Sequence, residues 1–155
     1  MMSNVSPVPE GYHTITPYLL VAGAAEAIEF YKKVFNATEL LRLTSPDGRV
    51  GHAELQIGTS KMMLADEHPE MDFLGPTARG GTPVTVHLYV DDADAVFASA
   101  IAAGATELRP LCDQFFGDRS GTVTDPWGHI WSIASRIELL SNDDIQQRFQ
   151  ELYGD

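Results

Sequence analysis

The chain has 155 residues, 44% of them hydrophobic and 21% charged, a length and balance that supply a packed core and exclude a chain disordered throughout. Twenty-two acidic against ten basic side chains give a formal charge of −12, which repels a phosphate backbone and argues against nucleic acid as a partner. The single cysteine, Cys112, rules out an intramolecular disulfide and a cysteine-only metal site.

Residues 1–10, with Pro7, Pro9 and small polar neighbours, read as a flexible N-terminal arm. They lack a basic segment followed by an apolar one, and no run of about 18 apolar residues occurs. The expectation is a cytoplasmic protein with no membrane partner. From Tyr12, alternation predicts a strand to Val21. Ala27, Ile28, Tyr31 and Phe35 then recur at helical spacing and predict a helix over Ala24–Phe35, stopped by Asn36. Strands over 38–44, 49–57 and 61–65 follow, separated by the Pro46-Asp47-Gly48 and Gly58-Thr59 turns. Residues 11–66 therefore form a βαβββ module. Residues 67–82 hold three glycines and two prolines and read as a linker.

The same order returns over residues 83–137. A strand over 83–90 precedes a helix over 93–103 closed by Gly104, and strands over 106–111, 121–124 and 129–135 complete the second βαβββ module. In 138–155, Ser141 is the expected N-cap of a last helix, with Ile145, Phe149 and Leu152 on one stripe. The two modules also share sequence. Thr16-Pro17-Tyr18-Leu19-Leu20-Val21 is echoed 69 residues on by Thr85-Val86-His87-Leu88-Tyr89-Val90, and Ala37-Thr38-Glu39-Leu40 recurs unchanged as Ala105-Thr106-Glu107-Leu108. The chain is a duplication. The fold class is α+β: two tandem modules forming a cupped mixed sheet with outer helices, plus the C-terminal helix.

Strand alternation sorts side chains into two faces. Val84, Val86, Leu88 and Val90 make one apolar face that suits packing under helices, as do Ile15, Leu19 and Val21 in the first copy. The other face carries Thr85, His87 and Tyr89, matched by Thr16, Tyr18 and Leu20, and by His52 and Glu54 of the third strand. A groove lined by these mixed faces is a natural small-molecule cleft. Tyr18, Tyr89, Phe115, Phe116 and Trp127 would offer flat surfaces there, each stacked pair worth roughly 0.5–1.5 kcal/mol beyond its buried area. Phe115 and Phe116 are adjacent in an expected loop, where one would cap the groove. Arg119 could orient an anionic or carbonyl group, a salt bridge to a neighbouring acid being the competing role. His68 reads as a surface residue and Trp131 as core.

Two segments give this pattern a relative. Ala25-Glu26-Ala27-Ile28-Glu29-Phe30-Tyr31 in the first helix and Thr124-Asp125-Pro126-Trp127-Gly128-His129 before the last strand resemble the vicinal oxygen chelate superfamily of glyoxalases, extradiol dioxygenases and bleomycin resistance proteins. Gly51-His52-Ala53-Glu54, Met63-Leu64-Ala65-Asp66-Glu67 and the Asp113–Gly121 segment are similar to its PhnB-like branch. The resemblance implies a homodimer, and it places the metal ligands of metal-using members at Thr16, Met63, Thr85 and Ser132. None is an imidazole, carboxylate or thiolate, so the usual metal site is expected to be absent and no cofactor is expected.

The leading expectation is non-catalytic binding of a small, partly aromatic molecule by Thr16, Tyr18, His52, Glu54, Thr85, His87, Tyr89, Phe115 and Arg119. A second is a metal-dependent lyase, isomerase or dioxygenase with a divalent ion displaced to His52, Glu54 and His87. A third is a dimeric interaction protein with a vestigial cleft. No catalytic residue is assigned.

Overall fold

The structure is a computed structural model that describes residues 4–154. The first three residues of the expected arm lie outside them. The chain divides between Gly80 and Gly81 into two compact units, each built on one module.

In the first unit, β1 (Tyr18–Val21), α1 (Ala24–Phe35), β2 (Thr38–Thr44), β3 (Val50–Ile57) and β4 (Ser60–Asp66) form a four-stranded mixed sheet of order β1-β4-β3-β2. β1 runs parallel to β4, with Tyr18 opposite Met63, and the other pairs are antiparallel. Leu19, Leu64, Ala53 and Leu55 bury one face against Ala27, Ile28, Tyr31 and Phe35 of α1. Asn36 ends α1 in the left-handed conformation, as its position predicts.

β1 begins at Tyr18, six residues later than alternation predicts. Pro17 still accepts a hydrogen bond at its carbonyl from Met63, but it has no N–H to continue the ladder. Ile15, expected under the helices, is consequently 85% exposed.

The expected linker is also structured. His68 and Phe73 exchange backbone hydrogen bonds of 2.8 and 3.1 Å around a short 3-10 turn at Pro69–Met71. The Gly75 N–H donates to the Glu67 carboxylate at 2.6 Å, and Pro76 opens the one-turn helix α2 (Pro76–Arg79). Residues 67–80 thus belong to the first unit.

The second unit repeats the topology with β5 (Thr85–Tyr89), α3 (Ala93–Ala102), β6 (Thr106–Asp113), β7 (Asp118–Thr124) and β8 (Ile130–Arg136), in the order β5-β8-β7-β6. His87 stands opposite Ser132, the duplicate of the Tyr18–Met63 pair. Asp66 and its duplicate Ser135 do the same task with different chemistry. The Asp66 carboxylate accepts from the Gly23 and Ala24 N–H groups at the start of α1, and the Ser135 hydroxyl accepts from Ala93 at the start of α3.

β7 starts three residues earlier than predicted and β6 ends two later. Pro110 is tolerated because β6 is an edge strand with irregular pairing around it. Gly121 sits where a Cβ would approach Leu111 Cα to 2.9 Å and the Phe97 ring to 2.7 Å. Gly121→Ala should therefore destabilise the unit by about 1–3 kcal/mol, read as a lower urea midpoint at unchanged slope.

The last helix, α4 (Asn142–Tyr153), starts at Ser141 with a reciprocal capping box to Asp144. Its Phe149 and Tyr153 rings pack on Phe115 at 5.8 and 6.4 Å, and Arg148 binds Glu138 and the Phe115 carbonyl. No helix among the described residues is long and apolar enough to cross a membrane.

Candidate functional site

Each sheet has an open face opposite its helix. In the first unit, the register aligns Tyr18, Met63, Glu54 and Leu41 across the strands, with Leu20 opposite Ala65 and His52 opposite Leu43. A chain of hydrogen bonds runs over this face. The Tyr18 hydroxyl and His52 Nδ1 are 2.9 Å apart, His52 Nε2 lies 2.8 Å from Glu54 Oε2, and the Tyr12 hydroxyl donates a short bond to Glu54 Oε1. Lys61 Nζ stands 4.5 Å over the Tyr12 ring.

Glu54 is held below its ordinary value of 4.5, first by the Tyr12 hydrogen bond and then by His52. An ionised Glu54 only accepts, so Nε2 carries the His52 proton and, in the neutral ring, Nδ1 accepts from Tyr18. Desolvation, reinforced by Glu54, pushes the Tyr12 hydroxyl up to about 12 and also raises Tyr18. Because its folded value is depressed, Glu54 stabilises the fold above pH 4.5, and this contribution is lost as pH falls through the folded value. Glu54→Gln should flatten the loss of stability on acidification, measured as urea midpoint against pH.

Beside this network lies a pocket of about 400 Å³ lined by Tyr18, Leu20, Ala65, His68, Met71 and Phe73, with Gly51. Its walls are mostly apolar, and the size suits a small ligand. Three of them, His68, Met71 and Phe73, come from the segment expected to be a linker. His68 is half-buried, its Nδ1 3.4 Å from Glu70, and is not the surface residue expected.

In the second unit, the corresponding row is His87, Ser132, Thr122 and Arg109. Thr85, His87 and Tyr89 share the open face of β5, as alternation predicts. The His87 and Tyr89 rings meet edge-on at 4.8 Å, and the Tyr89 hydroxyl donates to the buried Asp118 at 2.9 Å, which raises the Tyr89 phenol.

Two expected groove residues lie elsewhere. Arg119 alternates to the helix side of β7, where it grips Asp94 of α3 with two bonds of 2.9 Å and Asp113 with one of 3.0 Å. Phe115 is taken up under α4, and its neighbour Phe116 is the ring that reaches a pocket of the open face.

Residues 12–133 match the family model described as Glyoxalase/Bleomycin resistance protein/Dioxygenase superfamily. The chain belongs to this superfamily. The uncharacterized protein Mb0911c of Mycobacterium bovis is 46% identical over 149 residues, 94% of each chain. Protein PA1353 from Pseudomonas aeruginosa superposes with a TM-score of 0.69 at 26% identity, over 81% of this chain and 99% of that one. A PhnB protein from Bacillus cereus shares the fold, with a TM-score of 0.63 at 21% identity over 79% of this chain and 99% of its own.

The positions where the superfamily resemblance places metal ligands are Thr16, in the loop before β1, and Met63 in the first unit, with Thr85 and Ser132 in the second. Of the displaced set, His52 and Glu54 lie together in the first unit and His87 belongs to the second. Both nitrogens of His52 and both oxygens of Glu54 are engaged in the network. Among the described residues, no three His, Cys, Asp or Glu side chains gather as a group able to hold a metal ion.

Sequence reasoning missed Tyr12, His68, Met71, Phe73 and Arg109. Tyr12 reaches Glu54 across 42 residues, which no local pattern reveals. The segment holding the other pocket walls did carry signals, with proline at the first position of both short helices.

Proposed function

We propose that this superfamily member binds a small, partly aromatic molecule in the pocket of its first unit, without the superfamily's usual metal site. The observation that carries this reading is the pocket itself. Apolar walls and the Tyr18 ring would hold a flat body, while the Tyr18 oxygen, fixed by His52, offers a hydrogen-bonding point. The engagement of His52 and Glu54 with Tyr18 and Tyr12 supports the metal-free part, since an ion would have to displace those bonds. We further propose a homodimer, supported by the exposed Leu152 and Tyr153 on α4, 60% and 70% accessible.

A thermal-shift screen of planar antibiotics and aromatic metabolites tests the binding. A ligand at a hundred times its Kd should stabilise the fold by about 2.7 kcal/mol. No shift across a broad library would favour a vestigial cleft. Metal analysis of tag-free protein should find no stoichiometric transition ion, and zinc, nickel, iron or manganese retained by wild type and lost in His52→Ala would overturn the metal-free reading. Light scattering should return a dimer mass, and a stable monomer would remove that part.

A further inference from the structure

Arg109 stands apart from most of the cations of this acidic chain. Arg42, Arg49, Arg79, Arg119 and Arg148 each pair with a carboxylate. Arg109 forms no such pair among the described residues. It lines two adjoining pockets of about 400 and 270 Å³ on the open face of the second unit, and no acidic side chain lines either. The register sets it opposite Thr122, Thr122 opposite Ser132, and Ser132 beside His87.

We propose that Arg109, with the hydroxyls of Thr122 and Ser132, forms a recognition site for a small carboxylate with an apolar body. The guanidinium presents paired N–H donors whose spacing fits the two oxygens of a carboxylate, and the hydroxyls add rotatable donors along the same row. Leu108, Ile130 and Phe116 supply apolar walls for the rest of the ligand. A formal charge of −12 repels a phosphate dianion about twice as strongly as a carboxylate monoanion at the same distance. In the first unit the duplicated row holds Leu41, Glu54 and Met63 where the second holds Arg109, Thr122 and Ser132, so this chemistry belongs to the second copy alone. The proposal is independent of the pocket in the first unit.

Calorimetric titration at low ionic strength with benzoate, benzyl alcohol and inorganic phosphate tests it on wild type, Arg109→Gln, Thr122→Val and Tyr18→Ala. Benzoate should bind wild type, with benzyl alcohol weaker by about tenfold or more, the loss expected when a hydrogen-bonded charge pair is absent, and phosphate weaker because it has no apolar body and meets the stronger repulsion. Arg109→Gln should weaken benzoate by about tenfold or more and Thr122→Val by a smaller factor. Arg109 is exposed and makes no ion pair among the described residues, so its replacement should keep the wild-type Tm. No benzoate binding, equal binding of benzoate and benzyl alcohol, a preference for phosphate, or full affinity in Arg109→Gln would overturn the assignment. Loss of benzoate in Tyr18→Ala alone would transfer the ligand to the first unit and overturn it equally.

Discussion

Asp125→Ala is expected to lower the stability of the second unit by about 3 kcal/mol, the largest effect of any single polar substitution proposed for this chain. The side chain is 3% exposed and organises the turn before β8. One oxygen accepts from the Trp127 and His129 N–H groups at 2.9 and 3.0 Å, and the other accepts from Trp131 Nε1 at 2.9 Å. Trp131 is 1% exposed, so its indole N–H has no water to replace the carboxylate, and stranding a buried donor costs roughly 1–3 kcal/mol by itself. The two backbone donors lie in a half-buried turn where water can replace part of what is lost. Asp125→Asn keeps one acceptor and should cost about half as much. Urea unfolding measures both. A double-mutant cycle with Trp131→Phe should return a coupling of about 0.5–3 kcal/mol, and strict additivity would show that the indole bond is not what the aspartate supports.

The second large effect falls on binding. Tyr18→Ala should weaken any ligand of the first-unit pocket by about thirtyfold, a change of about 2 kcal/mol, because it removes a ring wall together with the oxygen held by His52. Tyr18 is 49% exposed, so the fold should lose little stability and the two consequences separate. Tyr18→Phe keeps the ring and loses the hydroxyl. A fall of only a few-fold in Tyr18→Phe would assign most of the affinity to the flat surface. A fall matching Tyr18→Ala would assign it to the polar point that His52 and Glu54 hold in place. Titration calorimetry with the best ligand from the screen distinguishes these outcomes, and full affinity in Tyr18→Ala would place the ligand outside this pocket.

The elements that carry strong periodicity were legible in the sequence. The buried face of α1, the shared face of Thr85, His87 and Tyr89 on β5, the Asn36 stop and the Ser141 cap follow from residue spacing and short-range chemistry alone, whereas Val84, expected under the helices, lies before β5 and is 63% exposed. The internal repeat gave the matched placement of Tyr18 and His87, which the parallel pairs with Met63 and Ser132 reproduce. Orientation was harder wherever a strand boundary was uncertain. Reading 118–120 as loop left Arg119 free to enter the groove, whereas the longer β7 fixes its alternation toward Asp94 on α3. Phe115 was assigned by its neighbourhood in sequence, but α4 returns from more than thirty residues away to cover it. The pocket walls His68, Met71 and Phe73 lay in a segment whose glycines and prolines resemble a linker. Their order comes from the His68–Phe73 bridge and the Glu67–Gly75 bond.

The proposed binding in the first unit is tested most directly by methyl-resolved NMR of the full chain during titration with the best ligand of the screen. The Leu20, Ala65 and Met71 methyl groups line the pocket and should shift together and saturably, with the Kd found by calorimetry, while the buried Ile28 and Leu55 methyls behind the sheet stay in place. Saturable binding that leaves Leu20, Ala65 and Met71 unshifted would contradict the account.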